Sequence, residues 1–247
     1  MASTDLVYGV FTPQCYETYF TQHDFLHVAC FKAVLSKALG YAIILGSFIL
    51  KLPQILKIIS AKSVAGLSPS GFYLEVLVFE ASVVYNFLRG YPISTWGENA
   101  VILVQNCILV FLLWVYSSAP RSQQLLGVLI FLGLGAAMLH LPDEHLWILP
   151  SASIPASIMS RIPQVFSNFK QGHTGQLAFV TLFLNLGGSA ARLFTSLQET
   201  GDQVQMLGFL ISVALNGMLV AQVLFYWRAT DAAMAKEQAA TDKKKKA

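Results

Sequence analysis

Charge is what this chain has least of. Only 12% of its 247 residues are Asp, Glu, Lys or Arg, while 55% are hydrophobic, so it lacks the polar surface that a soluble domain of this length needs. That excludes an ordinary soluble protein and implies a membrane protein. The formal net charge of +3 comes mostly from the run Lys243 to Lys246, which leaves no basic face for nucleic acid. Cysteine is sparse too. Cys15, Cys30 and Cys107 match no zinc spacing and are too few for a disulfide scaffold, so one disulfide at most is open to them. Catalytic signatures are missing: there is no GxSxG elbow, no HExxH, no phosphate-cradling glycine loop and no Asp-rich motif for a metal-bound pyrophosphate. Neither an enzyme nor a cofactor is expected. His173 in GHTG has no second histidine or cysteine at ligand spacing and reads as a loop residue. A cleaved signal is not expected either, because Asp5, Glu17, His23, Asp24 and His27 interrupt the N-terminal residues.

Long apolar runs are what the chain does have. A bilayer core about 30 Å thick needs about 20 mostly apolar residues per helix. Seven runs qualify as candidate spans, at 36–58, 70–88, 98–117, 122–140, 146–168, 176–197 and 204–227. The piece before them, CYETYFTQHDFLHVACFKAVLSK, has apolar residues at mixed helical spacing and reads as an amphipathic segment at the interface or a short soluble cap. With seven spans, Lys57, Lys62, Arg121, Lys170, Arg228 and the lysine tail share one side. Basic loops favour the cytosol, so the N-terminus is expected on the luminal side and the C-terminus in the cytosol. Cys15 and Cys30 then share the luminal side. Fifteen residues of continuous helix would hold them about 22 Å apart, so a disulfide requires the segment to fold back, and two buried thiols are the alternative.

Two short strings recur. KLPQ at Lys51 to Gln54 and RIPQ at Arg161 to Gln164 are offset by 110 residues, and the same offset carries Asn106 onto Asn216 and Tyr116 onto Tyr226. Each is followed by a polar, glycine-containing loop, SAKSVAGLS in one half and NFKQGHTGQL in the other. The expected fold is an all-α bundle of seven helices in a 3+1+3 arrangement, whose halves form a parallel repeat about the membrane normal. Its parts are a luminal segment 1–35, a first three-helix repeat 36–117, a linker helix 118–145, a second repeat 146–227 and a cytosolic basic tail 228–247.

Paired PQ dipeptides closing the first and fifth helices of such a chain resemble the PQ-loop family, relatives of the SWEET sugar transporters. The strings KLPQILKIISAKSVAGLS, HTGQL, GGSAARLFTSLQETGD and FYW are similar to the branch of that family required in the endoplasmic reticulum for using mannose-phosphate-dolichol and glucose-phosphate-dolichol. The resemblance implies dolichol-phosphate sugars and the lipid bilayer as partners, handled by a scramblase or by an organiser of luminal mannosyl- and glucosyltransferases. An ordinary carrier of sugars or amino acids is the third reading. Glu80 departs from the family pattern.

Individual residues carry expectations of their own. Pro53 and Pro163 each remove a backbone donor and kink a helix, making a hinge whose freed carbonyls Gln54 and Gln164 can satisfy. Lys51 and Arg161 either meet a lipid phosphate or snorkel to the headgroups. Glu75 is placed to pair with Lys51. Glu80, about 140° round the same helix, does not share its face; either carboxylate is also a candidate proton site. Asn106 and Asn216 either contact sugar hydroxyls or hold the bundle together. Arg192 follows the small residues Gly187 to Ala191 and is placed to bind phosphate at the luminal mouth, or else to snorkel to the luminal interface or pair with Glu199. Lys244 and Lys245 occupy the positions of a KKxx signal for return to the endoplasmic reticulum.

Overall fold

The computed structural model describes residues 6–64, 67–117, 119–174 and 179–234. Its helices are α1 (Pro13–Phe20), α2 (Val28–Leu50), α3 (Leu52–Ala61), α4 (Pro69–Leu88), α5 (Gly97–Tyr116), α6 (Arg121–Leu139), α7 (Ile148–Ser151), α8 (Ser153–Gln171), α9 (Phe179–Glu199) and α10 (Gln203–Phe225). They fall into two compact units. One comprises Met1–Pro150 with Phe194–Asp202, the other Ser151–Leu193 with Gln203–Ala247.

Among the described residues, five helical segments are long and apolar enough to cross a membrane: Val28–Ala61, Pro69–Leu88, Gly97–Tyr116, Arg121–Leu139 and Gln203–Phe225. The expectation from sequence is seven. The two that fall short, α8 and α9, are helices of 19 and 21 residues, but polar side chains interrupt them. Ser153, Ser157, Ser160, Arg161, Gln164 and Asn168 break up α8, and Asn185, Ser189, Arg192 and Gln198 break up α9. The fifth run also starts later than expected. Prolines at Pro150 and Pro155 flank Ala152, where the short α7 gives way to α8.

The N-terminal segment is not one interfacial helix. Thr12 caps α1 by accepting a hydrogen bond from the Cys15 amide at 3.2 Å, with Pro13 at the helix start where its missing N–H costs nothing. The chain then turns, and His27 caps α2 by accepting from the Cys30 amide at 3.3 Å. The first membrane helix therefore begins at Val28, earlier than position 36. This fold-back brings Cys15 and Cys30 to a Cα separation of 5.3 Å, and they are joined by a disulfide. Phe11, Tyr19 and Val34 pack around it.

In the first unit α5 is the central helix, touching α2, α3 and α4, while α6 lies against α4. Ile55, Phe72, Val76, Leu109, Val110 and Leu113 form the core. In the second unit α10 packs on α8, and Val165, Leu182, Leu186, Leu219, Val220 and Val223 form the core. These six lie 110 residues beyond the six named in the first unit, while Phe179, which also packs against the second core, corresponds to Pro69. The duplication read from four motif positions therefore extends to the buried contacts that hold each unit together.

The two prolines act differently. Pro53 follows a true break, since α2 ends at Leu50 and α3 starts at Leu52. Around Pro163, α8 runs on without interruption. The carbonyl freed at the break is not satisfied by Gln54. Gln105 of α5 donates to the Phe48 carbonyl at 2.8 Å, because a side chain from a neighbouring helix reaches the gap more directly than one on the far side of the bend. In the second unit Gln222 of α10 donates to the Val165 carbonyl at 2.9 Å. Lys243, Lys244 and Lys245 lie outside the described residues.

The disulfide closes a short loop, and cross-linking a loop of this length contributes about 3 kcal/mol. Replacing Cys15 and Cys30 together by serine is expected to lower stability by that amount, measured as the shift in detergent-phase unfolding. A shift below about 1 kcal/mol would show that the fold-back is held by its aromatic packing instead.

Candidate functional site

At one end of the first unit a buried charge pair sits among hydroxyls. Lys37, two turns into α2, donates to Glu199 Oε2 at 2.6 Å and to Ser94 Oγ at 2.9 Å. Ser94 in turn donates to Glu199 Oε2 at 2.7 Å, and Ser36 to Glu199 Oε1 at 2.6 Å. The lysine and glutamate side chains are 11% and 7% exposed. Charges this far from water are tolerated only when paired and hydrogen-bonded, and four polar groups here satisfy one another. Gly40 makes the arrangement possible. A Cβ at that position would overlap the Ser94 carbonyl oxygen, so only glycine lets the 93–95 turn approach α2.

Asp202 forms a second cluster in the same unit. It accepts hydrogen bonds from the Tyr85 hydroxyl and, at 2.8 Å, from the Tyr91 hydroxyl, while the Arg89 guanidinium lies over the Tyr85 ring at 5.6 Å. Burial, followed by the bond to Asp202, pushes the Tyr91 phenol well above its ordinary range. It therefore remains a neutral donor throughout the physiological range.

Glu199 is thus engaged by Lys37, Ser36 and Ser94. Arg192 itself is buried at 5% exposure.

Lys51, at the break between α2 and α3, pairs with Glu75 of α4 at 2.6 Å, with side chains 22% and 42% exposed. Glu80 lies elsewhere. It faces α6, so close to Gly135 that a Cβ there would overlap its Oε1, and its Oε2 is buried with no hydrogen-bond partner. Arg161 is half-buried and Gln164 likewise.

The two asparagines of the repeat sit near the middle of α5 and α10. Asn106 is wholly buried, and neither its Nδ2 nor its Oδ1 has a partner. Asn216, 3% exposed, donates to the Ser212 carbonyl at 2.9 Å and leaves its Oδ1 without one. Groups that hold a bundle together would be expected to bond across helices. Here Asn216 bonds within its own helix, and Asn106 Nδ2 and Oδ1 and Asn216 Oδ1 have no partner within the protein. Among the described residues, no three of His, Cys, Asp and Glu cluster closely enough to hold a metal ion.

A PQ loop repeat model matches residues 35–95 and again 146–205, spanning both proline-glutamine dipeptides. This is an all-helical membrane protein with two PQ-loop repeats. The human protein Solute carrier family 66 member 3 is 28% identical to it over 181 residues, covering 72% of this chain and 87% of that relative.

The residues missed by sequence reasoning are Lys37, Ser94, Asp202 and the paired tyrosines. A signal for Lys37 was present, since it stands beside an apolar run just as Lys51 does. Its place at the end of the amphipathic stretch CYETYFTQHDFLHVACFKAVLSK masks it. Ser94 and Asp202 carry no such signal, because their role depends on a turn and a helix end meeting in space.

Removing one partner of a buried ion pair strands the other charge, at a cost of about 3 to 5 kcal/mol. Glu199→Gln is expected to destabilise the protein by that amount, and Lys37→Met with Glu199→Leu to recover most of it. Equal stability of Glu199→Gln and the wild type in thermal unfolding would refute a structural role for the pair.

Proposed function

We propose that the protein carries the polar headgroup of a dolichol-phosphate sugar across the endoplasmic reticulum membrane, so that mannose-phosphate-dolichol and glucose-phosphate-dolichol made on one face can be used on the other. The carrying observation is Asn106, a fully buried amide in mid-span with no protein partner, matched by Asn216 with its open Oδ1. Leaving such groups unbonded in hydrocarbon costs about 1 to 3 kcal/mol each. A hydroxyl-rich headgroup passing between leaflets would repay that cost. The strings KLPQILKIISAKSVAGLS and GGSAARLFTSLQETGD, similar to those of the mannose-phosphate-dolichol utilisation defect protein, support the choice of lipid. On this reading α8 and α9 also cross the membrane, completing the seven-helix 3+1+3 bundle, since their core positions repeat those of α3 and α4.

A second reading is favoured by the relative's name. A solute carrier of the same repeat type would use the same asparagines for a free sugar or amino acid, with Glu75 or Glu80 as a proton site. The two are separated by reconstitution. Purified protein in liposomes should speed leaflet exchange of a mannosyl-phosphoryl-polyprenol at least tenfold over empty vesicles, and Asn106→Leu should abolish the gain. Uptake of free mannose or amino acid without lipid exchange would establish the carrier reading instead.

A further inference from the structure

The two repeats put a cation at the same position and surround it differently. At the offset of 110, Lys51 corresponds to Arg161, and its partner Glu75 corresponds to Asn185. Lys51 is neutralised by Glu75 at 2.6 Å. Arg161, half-buried on α8, makes no ion pair among the described residues. A second exchange lies two turns along α3 and α8, against α5 and α10. Ile58 and Leu112, both buried in the first core, correspond to Asn168 and Gln222, whose side chains hydrogen-bond at 3.0 Å. Arg161, Gln164 and Asn168 follow at i, i+3 and i+7, within one narrow face of α8. The first unit thus has a closed ion pair beside apolar contacts. The second has a cation with no counter-ion among the described residues, beside a stripe of amides.

A partly desolvated guanidinium without a carboxylate is stabilised by an anion, and its planar fork matches a phosphate with two parallel hydrogen bonds. At position 185 an amide can donate to such an anion, where a carboxylate would repel it. We infer that Arg161, with Asn185 and the amide face of α8, is the phosphate-binding site of this protein, and that the Lys51 to Glu75 pair instead holds the break between α2 and α3. The ligand class is a sugar linked to phosphate, presented as a lipid headgroup or as a soluble ester; the lipid source rests on the function proposed above.

The test compares wild type with Arg161→Gln, Arg161→Lys and Asn185→Glu in vesicles holding two probes, a mannosyl-phosphoryl-polyprenol and a neutral glycolipid. Asn185→Glu recreates the ion pair of the other repeat and is expected to keep or raise thermal stability. The ratio of anionic to neutral exchange should fall at least tenfold in Arg161→Gln and in Asn185→Glu, and less in Arg161→Lys. Wild-type exchange with an unchanged ratio in both variants would overturn the phosphate site while leaving the function in place. If wild type moves neither probe, the functional reading fails. The anion site is then judged by calorimetry of mannose 1-phosphate with solubilised protein, where binding by wild type and its loss in Asn185→Glu support the site, and no binding overturns it. Competition of mannose 1-phosphate with lipid exchange shows that soluble esters enter as well. Its absence, with the ratio changed, assigns the site to the lipid headgroup.

Discussion

A polar group in hydrocarbon must find a partner, and nearly every distinctive feature of this chain is a response to that constraint. Lys37 and Glu199 answer it by pairing, with two serines taking up the remaining bonds. The carbonyl freed at the break before Pro53 is answered by Gln105 from α5. Asp202 is answered by two phenols. Against this background Asn106 stands apart among the described residues, because its amide is wholly buried and neither its Nδ2 nor its Oδ1 has a partner. The proposed function takes that exception as its starting point.

The duplication has two depths. The core is conserved between the halves in position and largely in character: Ile55 with Val165, Leu109 with Leu219, Leu113 with Val223. Packing needs only volume and apolarity, so such positions tolerate exchange among aliphatic residues. The polar positions have diverged in chemistry, with Glu75 against Asn185 and Ile58 against Asn168. Shared packing with unshared polarity lets one unit specialise without losing its fold.

How much of this could be read beforehand follows the range of each interaction. The repeat was legible because it is a fixed offset along the chain, and the break at Lys51 because proline acts on its own helix. The Lys51 to Glu75 contact was accessible as well, with one charge at the end of a span and its opposite near the start of the next. Gln105 was not, because nothing local marks which helix will lie beside a gap. The turn that folds α1 back on α2 was hidden by a continuous amphipathic pattern, whose ends are set by the Thr12 and His27 caps. The seven expected spans against five clearly apolar ones reflect composition alone. α8 and α9 mix serines, amides and arginines into their apolar runs, so hydropathy ranks them below the helices whose positions they repeat.

The bond between Cys15 and Cys30 also has a practical side. It leaves Cys107 as the single free thiol, exposed on α5 one residue beyond Asn106. The natural sequence thus offers one addressable attachment point at mid-span, where a spin label or a lipid-soluble fluorophore would report the polarity next to the unbonded amide without any engineered cysteine.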